Sequence, residues 1–77
     1  MDEKVRNVLA EVLQIPLGKV IDNLAMSDVE GWDSLKHMEL IVSLEQTFGL
    51  EFTFEEIVAL RSVVEIKRVL RERGVPD

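Results

Sequence analysis

The residues of this chain that are able to do chemistry are concentrated in one short run, Gly31-Trp32-Asp33-Ser34-Leu35-Lys36-His37. On a helix, Ser34 and His37 are neighbours at i, i+3 with Asp33 alongside, so a hydroxyl, an imidazole and a carboxylate share one corner. Such a set could form a hydrolytic triad with Ser34 as nucleophile and His37 as base. A triad also needs a strand-turn-helix elbow and an oxyanion hole in a sizeable pocket, and the residues before Ser34 carry no strand alternation. The chain has no cysteine, which removes disulfides, Cys-ligated zinc and any thiol of the protein's own. Catalysis by this chain alone is not expected.

The elements that must position Ser34 read as helices. Val5, Val8, Leu9, Val12 and Leu13 recur at helical spacing and predict an amphipathic helix from about Asp2 to Gln14, with Asp2 and Glu3 suited to its positive end. Pro16 stops it, because proline lacks the helical N–H donor and disfavours helix in the residue before it. From Pro16 to Asp33 the chain mixes Asp, Asn, Ser and Gly with Val20, Ile21, Leu24, Met26 and Val29. A loop of that length is expected to be pinned across the helix ends by its apolar residues, with a short helical turn within it. Asp33 or Ser34 caps a second helix that runs to Phe48 and stops at Gly49. Thr53 with Glu56, and Ser62 with Glu65, have capping-box spacing ahead of a short third and a longer fourth helix.

The second helix carries more apolar residues than one core stripe needs. Ile41, Leu44 and Phe48, joined by Leu40, form one line, and Leu35, Met38 and Val42 form another offset from it. The second line is either a docking surface, which methionine suits, or part of a helix buried on most sides.

Length and composition set the frame. Seventy-seven residues, 47% hydrophobic and 31% charged, support one folded domain spanning 1–77. No apolar run approaches the roughly 20 residues that span a bilayer, and Met-Asp-Glu-Lys lacks a signal-peptide pattern, so a cytoplasmic protein without stable membrane insertion is expected. Fifteen acidic against nine basic residues give a net charge of -6, which disfavours nucleic acid and favours basic protein surfaces, or simply aids solubility.

Asp33-Ser34-Leu35 at the start of the second helix resembles the hallmark of the acyl carrier and peptidyl carrier protein family. The likeness continues through Glu39-Leu40, Leu44-Glu45, Phe48, Phe52, Leu60 and Val63, and upstream through the first helix and the Asn23 region. The resemblance implies an all-α four-helix bundle with a long first loop and a short third helix. It further implies that a phosphopantetheinyl transferase, using coenzyme A and magnesium, attaches 4'-phosphopantetheine to Ser34, whose position at a helix N-terminus suits a phosphodiester. By the same likeness Asp33 faces the transferase, while Leu35, Met38, Glu39 and Val42 face partner enzymes. Leu35 and Leu60 lie near the arm or its cargo, and Leu40, Leu44, Phe48, Phe52 and Val63 pack the interior.

Partners implied in this way are the transferase, an acyl-loading ligase or synthase, and acyltransferases, served by a monomer. Carriers of primary fatty acid synthesis usually have further acidic residues early in the second helix, where this chain has Lys36 and His37. The expected surface is therefore less acidic, and the chain is more similar to discrete carriers of specialised lipid, polyketide, peptide or envelope pathways. Trp32 either covers the core or contacts the arm or a partner. The competing expectation is an unmodified helical module that docks through Leu35, Met38 and Val42.

Overall fold

A computed structural model describes all residues from Met1 to Asp77. Four α-helices follow one another: α1 (Asp2–Leu13), α2 (Ser34–Phe48), α3 (Phe54–Ala59) and α4 (Val63–Glu72). They form the all-α bundle expected from the helical spacing of the apolar residues. Three of the helices each contribute one stripe to a common interior: Val5 and Leu9 from α1, Leu40, Ile41 and Leu44 from α2, and Val63, Ile66 and Leu70 from α4 are all buried. The short α3 buries none of its own residues, but Leu60 directly after it is fully enclosed. Phe48, expected in the core, is half-buried against it. No helix is long and apolar enough to cross a membrane.

The ends of the helices have local causes. Gln14, at φ 58, closes α1 in the left-handed conformation one residue before the Ile15-Pro16 stop. Gly49 does the same for α2 at φ 67, a backbone conformation that side chains other than glycine's disfavour, and its N–H donates to the Glu45 carbonyl over 2.8 Å. Thr53 and Glu56 form the full reciprocal capping box, with bonds of 3.1 and 2.8 Å. Ser62 forms only half of one. Its hydroxyl accepts from the Glu65 N–H over 3.2 Å, but the Glu65 carboxylate turns away to pair with Arg68 at 2.7 Å.

The long connection from α1 to α2 is pinned by its backbone as well as its side chains. It contains two 3-10 turns, Leu17–Lys19 and Met26–Asp28, and only Val20 and Trp32 of its residues are buried. Val63 N–H donates to the Leu24 carbonyl (3.0 Å), Val64 N–H to the Asp22 carbonyl (3.2 Å), and Met26 N–H to the Arg61 carbonyl (2.7 Å). The loop carbonyls thus satisfy N–H groups of the first turn of α4, which the helix itself cannot. From the other side, Arg6 on α1 donates through Nε to the Val20 carbonyl over 3.1 Å. Beneath the loop, Lys67 is buried between Asp2, which it contacts directly, and Asp22 at 2.6 Å, so one cation ties α1, the loop and α4 together. Hydrogen bonding to Asp2, then to Asp22, raises the Lys67 ammonium above its ordinary value, and the same contact lowers the Asp2 carboxyl.

Candidate functional site around Ser34

The pinned loop delivers the chain to α2 at a defined angle, and Asp33 makes the turn. In extended conformation, it accepts the Lys36 N–H on Oδ1 at 2.9 Å, while its carbonyl accepts the His37 N–H at 2.8 Å. Ser34 follows as the first residue of the 15-residue α2 and is exposed. The cap occupies the third N–H of the helix, so those of Ser34 and Leu35 stay free at its positive end. An anion esterified to the Ser34 hydroxyl would therefore lie beside unsatisfied donors and a favourable dipole.

Beside Ser34 a recess of about 190 Å³ opens between α2 and α3, with Ser34, Met38, Ile57, Val58 and Arg61 among its lining. Arg61 donates through Nε to the Val58 carbonyl at 3.0 Å and forms no ion pair, leaving its outer nitrogens available at the rim. A second, shallower depression lies along α2 between Leu35, Met38, Glu39 and Val42. These three apolar side chains are exposed to 73%, 49% and 48%, so the second stripe of α2 lies outside the core. Lys36 forms an i, i+3 ion pair with Glu39 at 3.1 Å on this face.

One expectation requires correction, and one alternative left open is decided. His37 does not dilute the acidity of the α2 surface, because it is buried, and only Lys36 of that pair reaches solvent. Trp32, for which two roles were open, is likewise buried. Their burial has one cause. Trp32 Nε1–H donates to His37 Nδ1 at 3.0 Å, and the rings stack with centroids 6.1 Å apart. Indole can only donate, so Nδ1 is the acceptor and the proton of the neutral ring lies on Nε2, which donates to the Ile57 carbonyl at 2.8 Å. Both imidazole nitrogens are thus committed, and His37 has none left to act as a base toward Ser34. A signal for this was present in the sequence: His37, Ile41, Leu44 and Phe48 fall on one helical line, the core line. No corresponding signal in the local pattern marks Arg61. Leu60 is fully buried and does not line the recess.

An exposed serine at a capped helix start, a recess beside it and an apolar strip below it define a helical domain that displays a hydroxyl at the head of its longest helix. Comparison with known proteins agrees with this class. The family profile described as "Phosphopantetheine attachment site" matches residues 3–70. A protein named acyl carrier protein from Thermosynechococcus vestitus is 34% identical over 64 residues, covering 83% of this chain and 79% of its own. Another of that name from Bdellovibrio bacteriovorus is 31% identical over 71 residues, covering 92% and 91%. A third, from Buchnera aphidicola, is 29% identical over 63 residues, covering 82% and 80%. The chain belongs to the acyl carrier protein family, whose prosthetic group is a covalently attached 4'-phosphopantetheine. The residues at the head of α2 fit that group: an exposed hydroxyl, two free N–H donors and an unpaired guanidinium sharing the same recess.

Proposed function

We propose that Ser34 is the attachment residue and that the protein carries acyl or aminoacyl groups, delivering them to partner enzymes that dock on α2. The observation that carries this reading is the exposed Ser34 hydroxyl on the first residue of a capped 15-residue helix. The attached arm supplies the thiol that a chain without cysteine lacks, so that cargo is held as a thioester. Asp33 fixes the helix start and offers the transferase an acidic contact. The free N–H groups of Ser34 and Leu35, with Arg61 at the rim, receive the negative charge of the phosphodiester. Leu35, Met38 and Val42, flanked by Glu39, meet the loading and accepting enzymes. The protein acts as a carrier without catalytic activity of its own, as a cytoplasmic monomer.

A specialised pathway fits best, on the ground that Lys36 stands on the docking face where an acidic residue would otherwise be expected. Its support is narrower than the pair Lys36 and His37 offered, because only Lys36 is presented. Incubation with coenzyme A, magnesium and a broad-specificity transferase, followed by peptide mapping, tests the assignment. One phosphopantetheine on the Ser34 peptide, abolished by Ser34→Ala, is expected. Modification elsewhere, or none with several transferases, refutes it and leaves the unmodified docking module.

A further inference from the structure

The recess beside Ser34 has a floor of unusual chemistry. Its outer walls are the apolar side chains of Met26, Met38 and Val58, but its inner end is His37 bonded to the Ile57 carbonyl at 2.8 Å. That bond joins α2 directly to α3, and Trp32 locks the imidazole from behind at 3.0 Å. Below it Leu40, Leu60, Val63 and Ile66 are completely enclosed. The largest depression on the protein, about 580 Å³, lies around Thr47, Gly49 and Arg73 at the opposite end of α2, so it gives no extra room beside Ser34. A long aliphatic chain could pass inward from the recess only by parting α2 from α3.

Where such a seam is closed by apolar side chains, an aliphatic chain entering it replaces each lost contact with another of the same kind. Here parting the seam would strand the His37 Nε2–H against hydrocarbon and leave the Ile57 carbonyl only its longer bond from the Leu60 N–H at 3.3 Å, and cargo made of methylenes replaces neither loss. On the reading of Ser34 given above, we propose that this carrier keeps its core shut and takes short acyl or aminoacyl cargo, lodged in the surface recess between α2 and α3. His37 is the residue that holds the seam closed. The recess, at about 190 Å³, holds a small group together with part of the arm, and Arg61 at its rim suits a cargo with a polar atom.

Loading the protein through a transferase with a coenzyme A series from acetyl to decanoyl tests this, each product being confirmed by intact mass before Tm is measured. The wild type should give one Tm across the series. His37→Ala should give a Tm that climbs with chain length, as longer chains fill the space vacated by imidazole. His37→Gln, whose amide can accept from Trp32 and donate to Ile57, should restore the flat profile. A wild-type Tm rising with each added methylene overturns the closed core, and a flat His37→Ala series overturns the role of His37. If His37→Ala does not fold, the wild-type series still decides. A missing mass gain is a different result, which refutes the attachment at Ser34 and not the closed seam.

Discussion

Removing the imidazole of His37 probes the joint between the loop, α2 and α3. His37→Ala deletes a buried 3.0 Å hydrogen bond and a part-buried one of 2.8 Å. Trp32 Nε1–H would be left with no partner, whereas the Ile57 carbonyl retains a longer bond from the Leu60 N–H at 3.3 Å. An orphaned buried polar group costs about 1–3 kcal/mol, with the carbonyl at the low end, so the pair and the lost ring packing sum to roughly 3 kcal/mol. For a chain of this size that corresponds to a fall in Tm of roughly 12–24 °C. Urea unfolding followed by far-ultraviolet circular dichroism and by the fluorescence of Trp32, the chain's one tryptophan, measures both the loss and its location. The indole should become more solvent-exposed in the native baseline of the variant. His37→Gln should recover most of the stability. A His37→Ala variant within about 0.5 kcal/mol of wild type would refute the reasoning, because that is the range of an ordinary surface change.

Met38→Glu and Val42→Asp should change stability by no more than about 0.5 kcal/mol, since both side chains are half exposed, yet should lower the rate at which partner enzymes use the modified protein. If they unfold the domain in a denaturation assay, the stripe belongs to the core. The contact with Lys67 lowers the Asp2 carboxyl below its ordinary 3.8, so its stabilising contribution is present above that value and is lost as pH falls through the depressed one. Asp2→Asn should therefore remove stability at neutral pH and flatten the acid limb of a stability profile below about pH 4; an unchanged acid limb would contradict the linkage. Lys67 titrates higher than its ordinary 10.5, so its contribution is full below that pH and is lost only as pH rises through the elevated value; Lys67→Met should therefore be less stable at neutral pH and show a flatter alkaline limb than wild type.

The four helices and the position of Ser34 were legible because their signals are local: apolar spacing, a proline stop, a glycine at each of two turns, and a capping aspartate. The two stripes of α2 could be drawn from spacing as well, but which faced solvent depended on what α3 and the loop cover. The loop was legible only as far as its need to be pinned. That its carbonyls cap α4, and that Arg6 and Lys67 hold it down, are long-range pairings that no single segment encodes. His37 shows the opposite case. It sits on the core line of α2, yet its polarity and its nearness to Ser34 suggested a surface or catalytic residue, and only the arrival of Trp32 and Ile57 from other elements gives it the two partners that allow burial. Glu65 was mispaired for a related reason, since Arg68 one turn away competes with the Ser62 backbone for its carboxylate.

What Ser34 carries in the living cell decides the carrier assignment most directly. Intact-mass analysis of the protein recovered from its own cells, with and without hydroxylamine to cleave thioesters, should show a phosphopantetheine adduct on Ser34 and a further small acyl or aminoacyl mass that hydroxylamine removes. A polypeptide recovered at its unmodified mass, with Ser34 bare, would contradict it.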